Sequence, residues 1–443
     1  MPTPLFDALT NYIQKKDIRF HTPGHSGCSE ALSAFAQILP YDVTELPETD
    51  SLFEASGAIL QAEKLASDFF SKSTDKHVNT FFSAGGCTLA IQTMIALTCL
   101  GGGELLVSRN CHRSVINTCT LTGIEPRFVY PGDDGRINSE DVKSLLEKNK
   151  KIKAVLLTSP DYYGRLSDIS GIAEVCKVHS IPLLVDNAHG THLMFFKDEN
   201  GKSMHPVTQG AALSGCSAHK TLPVLTGGAW LNIADKKFAK NAKNIMSLFA
   251  SSSPSYPIMA SLDLCRDYCE LQGEKDFVRL EEHVKEVSEF IVSRGFRLIN
   301  GAKDPVRITI NTGDTGFETY KILRENGIQP EFYDERYVVL IPTPFNFSKN
   351  CTTRLKSAIN KFSAGKFTCD AQIPRTQAVI SPAAAIRSKT VRLPVEKSAG
   401  FIAGETVSKC PPGIPVLIPG ERISDDIVNI LKNSSISFVN VIK

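Results

Sequence analysis

The sequence of 443 residues lacks the features that mark several classes of protein. No apolar run approaches the length of about 18 residues that a membrane helix needs, so we expect no membrane span. The N-terminus has no basic region followed by an apolar core, so we expect no secretory signal. The 49 basic and 47 acidic side chains nearly balance, without the clustered basic excess of a nucleic-acid-binding protein. These absences predict a cytoplasmic protein that binds neither membranes nor nucleic acid.

The 12 cysteines are scattered without a CxxC pair. In a chain of this size without a signal, they are expected to be reduced and mostly buried thiols, and we expect no metal site. The sequence also lacks internal repeats and low-complexity tracts. Its length exceeds what one compact core usually holds, so two or three domains are expected.

Aliphatic segments alternate with amphipathic ones through the middle of the chain. Strands separated by helices of about 10–15 residues indicate a mostly parallel α/β sheet. Near-continuous aliphatic strands, such as Ala154 to Leu157, are typical of a sheet covered on both faces. A long helical region at roughly 258–294 and an α+β pattern follow. We predict an N-terminal segment at 1–55, a large domain at 56–290, a small α+β domain at 291–368 and a C-terminal domain at 369–443.

Lys220 lies in the stretch Ser217-Ala-His-Lys-Thr-Leu-Pro223, between a run of small residues and an apolar segment. A lysine is usually solvated, and that is the ordinary interpretation of Lys220. Burial among small and apolar residues would instead lower its pKa and make it a usable amine nucleophile. Ser217 and His219 beside it could donate hydrogen bonds to an anion.

Asp186 ends an apolar run upstream of this stretch, and His189 follows it. Ligands of open α/β sheets bind beyond the carboxyl ends of the strands, where Asp186 could pair with a buried cation and His189 could orient it. A helix-capping role is an equal alternative for Asp186. His112 also follows a predicted strand, and it is otherwise a histidine of a surface loop.

The turn Ser83-Ala-Gly-Gly-Cys-Thr88 joins a predicted strand to a predicted helix that begins at Leu89. Its glycines let the backbone approach a ligand, and the first helical N–H groups could bind phosphate. An ordinary strand-to-helix turn is the alternative, and neither nucleotide-binding glycine motif is present. A lysine amine, an acid, an imidazole and a glycine turn together meet the four needs of pyridoxal phosphate.

The chain resembles the fold-type I, pyridoxal-phosphate-dependent ornithine/lysine/arginine decarboxylase family over nearly its whole length. The resemblance rests on long motifs in the family's order, at residues 20–25 (FHTPGH), 42–47 (DVTELP), 109–114 (RNCHRS), 158–164 (TSPDYYG), 184–190 (LVDNAHG), 217–223 (SAHKTLP), 253–257 (SPSYP) and 411–415 (PPGIP). It implies an aminotransferase-like large domain that binds the cofactor, followed by a small α+β domain and a C-terminal domain.

The resemblance also implies a role for each candidate residue. Lys220 would form the Schiff base, Asp186 would pair with the pyridine nitrogen, and His112 would stack on the ring. His189 would support Asp186 or the imine side of the cofactor. The phosphate would be bound by five residues: Gly86, Cys87, Thr88, Ser217 and His219. Glu331 matches a family acid near the distal cation of the substrate.

Three positions depart from the family pattern. Ser26 replaces a usual lysine, Gly86 and Cys87 replace hydroxyl residues of the phosphate loop, and Cys410 replaces a usual tyrosine. The chain resembles the short form of the family, without the N-terminal wing domain. A homodimer is therefore expected, because family active sites lie at a subunit interface, while a higher oligomer stays open.

The expected reaction is decarboxylation of lysine, arginine or ornithine to the corresponding di- or polyamine. His219 or Lys220 would protonate the α-carbon after carbon dioxide leaves. Two alternatives remain, because a fold does not fix a reaction. One is another reaction of the same cofactor, such as transamination or β-elimination, and the other is a regulatory homologue that binds the cofactor without turnover.

Overall fold

A computed structural model describes residues 1–367, 374–408, 412–434 and 436–443. Its centre is a seven-stranded sheet whose strands lie in the order β1-β7-β6-β5-β4-β2-β3. The strands are β1 Asn79–Ser83, β2 Glu104–Ser108, β3 Glu125–Val129, β4 Ile152–Thr158, β5 Leu183–Asp186, β6 Leu213–Cys216 and β7 Ala229–Ile233. Only β7 runs antiparallel to its two neighbours, β1 and β6. The predicted mostly parallel α/β sheet is confirmed.

Helices cover both faces of this sheet and continue into the rest of the chain. The α-helices are α1 Pro4–Gln14, α2 Ala58–Thr74, α3 Gly86–Cys99, α4 Arg113–Thr122, α5 Ser139–Lys148, α6 Ile169–Val178, α7 Ala218–Thr221, α8 Lys236–Ala239, α9 Ala242–Ser247, α10 Tyr256–Tyr268, α11 Glu274–Ser293, α12 Gly316–Glu325, α13 Lys349–Ile359, α14 Pro382–Ala385 and α15 Asp425–Asn433. Short 3₁₀ segments lie at Glu30–Phe35, Leu39–Tyr41, Thr191–Phe195 and Val395–Lys397.

The central strands are buried on both faces because their apolar residues alternate between two cores. Leu105 and Val107 of β2 pack in the core that contains α3, whereas Leu106 between them packs in the core on the opposite face. Leu156 and Leu157 of β4 divide between the two cores in the same way. This arrangement explains the near-continuous aliphatic sequence of the strands.

The long helical region predicted at 258–294 is two helices. α10 and α11 are joined by a single π-helical turn, Cys269–Gly273. Helix α3 also differs from the sequence prediction, because it begins at Gly86 and not at Leu89. Gly86 to Thr88 therefore form the first turn of the helix and not a loop before it.

A second, four-stranded antiparallel sheet follows the large one, in the order β10-β11-β9-β8. Its strands are β8 Arg297–Leu298, β9 Ile308–Asn311, β10 Phe332–Tyr333 and β11 Tyr337–Leu340. The last part of the described chain forms three two-stranded ladders, β12 Gln377–Ala378 with β16 Glu421–Arg422, β13 Thr390–Pro394 with β17 Phe438–Ile442, and β14 Val407–Ser408 with β15 Pro415–Leu417. The domain boundaries stay predictions, and the one at 368/369 lies outside the described residues, as does Cys410.

Several side chains of the large sheet bear on the sections below. The single tryptophan of the sequence, Trp230, is completely buried in β7 and contacts Phe70 edge to face, with ring centroids 5.3 Å apart. All ten described cysteines are free thiols, and eight of them are buried. Among the described residues, none of the helices combines the length and the apolar character that a bilayer crossing requires.

Candidate active site

The carboxyl ends of β4, β5 and β6 meet at one edge of the large sheet. Thr158, Asp186 and Gly215 are register partners across these three parallel strands. Helix α7, which carries Lys220, begins two residues after β6 ends. The parallel register therefore brings the predicted acid and the predicted lysine to the same edge.

Lys220 is partly buried, and its Nζ lies 2.8 Å from Nε2 of His189. Burial lowers the pKa of Lys220, while the negative charge of Asp186 opposes this shift. Burial and the positive charge of Lys220 hold the pKa of His189 well below its usual range. The neutral imidazole of His189 can therefore accept a hydrogen bond from the lysine amine through Nε2 and hold that amine in place.

Asp186 is the last residue of β5, and its side chain is 2% exposed. Its Oδ1 accepts a hydrogen bond of 3.1 Å from the backbone N–H of Ala188. Burial raises the pKa of this carboxyl, whereas the nearby His112 and Lys220 lower it. A buried carboxylate of this kind is stabilised when a cation lies against it.

His112 lies at the N-terminus of α4 and caps it. Its Nδ1 accepts a hydrogen bond from the backbone N–H of Ser114 at 3.2 Å and lies 2.9 Å from Ser114 Oγ. In the neutral ring the proton is therefore on Nε2. Burial lowers the pKa of His112, although Asp186 opposes this shift. The ring is thus fixed by one nitrogen and faces Asp186 as an uncharged, planar group.

The predicted phosphate residues surround a turn formed by Gly227 and Gly228. The N–H of Gly86 donates to Gly227 O at 2.7 Å, and the N–H of His219 donates to Gly228 O at 3.3 Å. Ser217 is buried beside them, whereas Thr88 is exposed. Helix α3 begins after Gly85 without a side-chain cap, and although the N–H of Gly86 is already bonded, those of Cys87 and Thr88 remain available to an anion.

Cys87 differs from the other phosphate candidates in the direction of its side chain. Its Sγ lies 3.9 Å from Oδ1 of Asp186. Burial and the charge of Asp186 raise the pKa of this thiol well above its usual value. Cys87 can therefore contribute its backbone N–H to a phosphate, while its neutral thiol donates a weak hydrogen bond to Asp186.

Glu331 is connected to the site by Tyr162, a residue to which the sequence analysis assigned no role. Tyr162 Oη donates to Glu331 Oε1 at 2.7 Å, and the Tyr162 ring packs edge to face on His189, with centroids 4.9 Å apart. Tyr162 lies in the motif at 158–164, but the sequence does not show which of its adjacent tyrosines turns inward. Arg307 was also missed, and its Nη2 donates to the backbone oxygen of His189 at 3.3 Å.

The groups at this edge fit pyridoxal phosphate. His189 Nδ1 is buried and has no hydrogen-bond partner among the described residues, as expected where a bound group completes the site. Asp186 offers a buried carboxylate to a protonated ring nitrogen, and the uncapped start of α3 offers N–H groups to a phosphate. Lys220 supplies the amine between them. Within the described chain, no cluster of three or more His, Cys, Asp or Glu side chains could hold a metal ion.

Comparisons with known proteins show the family to which this chain belongs. A family model described as Orn/Lys/Arg decarboxylase, major domain, matches residues 3–295, and one described as Orn/Lys/Arg decarboxylase, C-terminal domain, matches residues 367–436. An arginine decarboxylase of Bacillus anthracis is 31% identical over 96% of this chain and 91% of its own. An arginine decarboxylase of Bacillus subtilis is 29% identical over 97% of this chain and 93% of its own.

Solved structures show the same fold. The lysine decarboxylase of Francisella novicida superposes with a TM-score of 0.82 and 19% identity, covering 100% of this chain and 81% of its own. The constitutive lysine decarboxylase of Escherichia coli superposes with a TM-score of 0.79 and 17% identity, covering 100% and 82% of the two chains. At these identities the likeness is one of fold.

Proposed function

The chain belongs to the Orn/Lys/Arg decarboxylase family and is a pyridoxal-phosphate-dependent decarboxylase, and on that premise we propose that it converts arginine to its decarboxylated amine. The observation that carries this proposal is the position of Glu331, whose carboxylate is linked through Tyr162 and His189 to the amine of Lys220. A carboxylate at the far end of the site suits the distal cation of a basic amino acid. Arginine is named first because four relatives that each match at least 94% of this chain are named arginine decarboxylases.

We assign the cofactor contacts to the residues gathered at the sheet edge. Lys220 would bond to the aldehyde, Asp186 would pair with the ring nitrogen, and His112 would lie against the ring. The N–H groups of Cys87 and Thr88 in the first turn of α3 would bind the phosphate together with Ser217 and His219, while Gly86, whose N–H donates to Gly227, would shape that turn. When bound, the cofactor supplies an electron sink for the pair of electrons that the departing carboxylate leaves behind.

The residues around Lys220 handle the proton that replaces the carboxylate. His189 accepts a hydrogen bond from Lys220, which orients the lysine amine. Burial lowers the pKa of Lys220, so its ammonium would give up a proton more readily than that of an exposed lysine, while the lowered pKa of His189 favours its neutral form. His219, whose pKa burial also lowers, is the second candidate for the proton donor to the α-carbon.

We further propose that the protein works as a homodimer in the cytoplasm and supplies polyamine synthesis. The N-terminal segment supports a partner surface, because Ile18 and Phe20 are 82% and 96% exposed and Phe35 and Ile38 are also exposed. Apolar side chains that are exposed together usually mark an interaction surface. The molar mass of the purified protein in solution, measured by light scattering, should be twice the 48.4 kDa of the chain.

A substrate panel tests the proposed reaction. The purified enzyme, loaded with pyridoxal phosphate, is given arginine, lysine and ornithine separately, and the product amines are identified by mass spectrometry. We expect arginine to be decarboxylated with the highest kcat/KM. Preference for lysine or ornithine would contradict the substrate assignment alone. Keto-acid products would indicate transamination, and bound cofactor with no product from any of the three would indicate a regulatory protein.

A further inference from the structure

The C-terminal part of the chain reaches into the candidate site at Gly413. The carbonyl of Gly413 accepts a 2.9 Å hydrogen bond from the N–H of Arg113, the residue after His112. A Cβ added to Gly413 would lie 2.9 Å from both Cδ2 and Nε2 of the His112 ring. Contacts this short are essentially never seen for real Cβ atoms, so a side chain here would force either the His112 ring or the backbone to shift. Gly413 also has a φ of +74°, which favours glycine independently.

A buried arginine fixes this contact. Arg109 is completely buried, and its guanidinium donates to the backbone oxygens of Pro415 at 2.6 Å and Val416 at 3.2 Å. It also pairs with Glu421 at 3.5 Å. Arg109 lies three residues before His112, and Pro415 lies two residues after Gly413. The two segments are therefore tied together immediately beside the imidazole.

Two further contacts hold the C-terminal side of this connection. Glu421 Oε2 accepts a hydrogen bond from the N–H of Ile418 at 2.9 Å, and its other oxygen accepts one from Thr376. The side chain of Ile418 is 1% exposed and belongs to the core on the α3 face of the large sheet. A segment outside the large sheet is thus anchored in its core, which limits how far Gly413 can move from His112.

We propose that Gly413 is a positioning residue that fixes the ring plane of His112 against the cofactor. Ser114 holds the ring at Nδ1, and the backbone at Gly413 closes against the opposite edge, at Cδ2 and Nε2. A ring confined at both edges cannot rotate away from the plane that stacking requires. This inference rests on the role proposed above for His112, and it adds that the C-terminal part of the chain sets the geometry of the cofactor site.

The variant Gly413→Ala tests the proposal, and Gly400→Ala is its matched control. Gly400 lies in the same part of the chain with a similar φ of +84°, and no atom lies within 4 Å of an added Cβ. Both alanines therefore carry the same kind of backbone strain, but only the one at 413 meets His112. The first readout is the dissociation constant of pyridoxal phosphate for the cofactor-free protein, measured by equilibrium dialysis. The second is the same measurement in a His112→Ala background.

We expect Gly413→Ala to weaken cofactor binding by about tenfold, equivalent to about 1.4 kcal/mol, while Gly400→Ala leaves it unchanged. In the His112→Ala background the further loss from Gly413→Ala should disappear, because the ring that the new Cβ meets is gone. An equal loss in both backgrounds, or equal effects of the two glycine variants, would overturn the proposal. Wild-type affinity in His112→Ala alone would instead show that the role proposed for His112 is wrong.

A second variant covers the case in which Gly413→Ala does not fold. Glu421→Gln keeps the size of the side chain but removes the charge that faces Arg109, so the connection beside His112 loosens. We expect a smaller loss of cofactor affinity that again vanishes in the His112→Ala background. A loss that persists there would show that the connection supports the fold only.

Discussion

Lys220 and His189 are two titratable groups in direct contact at the candidate site, with Nζ and Nε2 2.8 Å apart. The pKa of each is lowered, first by burial and then, for His189, by the charge of the lysine. The charge of Lys220 therefore disfavours a second proton on His189, which favours the neutral imidazole. Their shared hydrogen bond holds the amine at the position where the cofactor aldehyde would bond.

The first prediction concerns the bond between Lys220 and the cofactor. Borohydride reduction of the loaded enzyme should add the mass of the reduced cofactor permanently to the peptide that contains Lys220. Lys220→Ala should abolish this mass shift because no other amine replaces the lysine, whereas Lys240→Ala, at an exposed lysine, should retain it. Mass spectrometry of the digested protein measures both, and a shift retained in Lys220→Ala would contradict the assignment.

The second prediction concerns Glu331 and the distal end of the substrate. Glu331→Gln removes the negative charge but keeps the acceptor of the Tyr162 hydrogen bond. Because a charged hydrogen bond contributes about 1.5–3 kcal/mol, KM for the preferred basic amino acid should rise about tenfold or more. Steady-state kinetics measure the change. Glu335→Gln, at an exposed acid four residues later, should leave KM unchanged, and equal effects of the two variants would exclude the proposed contact.

Sequence reasoning brought together those candidate residues whose position follows from a strand end. Asp186 ends β5 and Lys220 lies four residues after β6, so the parallel pairing of these strands brings them together whatever the details of packing. Tyr162 follows β4, but so does the adjacent Tyr163, and the sequence does not show which of the two contacts His189. Arg307 could not be found from a strand end of the large sheet, because its contact with His189 depends on how the second sheet packs against the first. That packing involves residues far apart in sequence, for which a single chain gives no local signal.

Helix α1 depends on an acid from a distant helix. Thr3, the N-cap residue that precedes this helix, makes no capping hydrogen bond with its side chain. Asp263 of α10 instead accepts hydrogen bonds from the N–H groups of Leu5 at 2.9 Å and Phe6 at 3.3 Å. The same carboxylate pairs with the completely buried Arg266 at 3.3 Å. Asp263 thus accepts hydrogen bonds from the unpaired N–H groups at the start of α1 and provides a negative charge to a buried arginine.

The third prediction follows from this arrangement. Asp263→Ala should destabilise the protein by about 3 kcal/mol, because it leaves a helix start uncapped and a buried arginine short of one partner. Residues 4–14 should then exchange amide hydrogens faster, as measured by hydrogen–deuterium exchange mass spectrometry. Glu282→Ala, at an exposed acid on α11, serves as the control. Unchanged exchange in α1 would show that packing alone holds this helix.

The type and order of the elements in the large sheet could be predicted because apolar periodicity is a local property. Two details could not be predicted from it. Helix α3 begins at Gly86, whose φ of +71° favours glycine. The start of this helix could not be predicted, because a glycine-rich ligand loop and a glycine-rich helix start have the same sequence pattern. The π turn between α10 and α11 interrupts a continuous amphipathic pattern, and one inserted residue leaves no clear signal in periodicity.

At the scale of the whole molecule, buried histidines make the stability of the fold depend on pH. His205 is completely buried between Phe70 and Cys216, and burial lowers its pKa to about 3. In the unfolded chain a histidine binds its proton near pH 6.5, so below that pH the unfolded state binds more protons than the folded one. The contribution of neutral, buried His205 to the free energy of unfolding is therefore present in full above pH 6.5 and is lost progressively as the pH falls toward 3.

The fourth prediction is that His205→Asn weakens this dependence. At pH 5 the buried neutral histidine should cost about 2 kcal/mol relative to neutral pH, a difference that asparagine cannot produce. The melting temperature should accordingly change less between pH 7 and pH 5 in His205→Asn than in the wild type. His77→Asn, at an exposed histidine, should keep the wild-type difference. An equal difference in all three proteins would place the acid sensitivity elsewhere.

The burial of Trp230 has a practical consequence for all of these measurements. Its strand β7 begins directly after Gly228, and the Gly227–Gly228 turn contacts both Gly86 and His219. As the only tryptophan, it gives the protein a single dominant intrinsic fluorophore two residues after a turn whose neighbours are proposed to bind the phosphate. Loading of the cofactor should quench its emission by energy transfer, and unfolding of the large sheet should shift that emission to longer wavelength. Occupancy and integrity of the site can thus be followed separately by two optical signals without an added label.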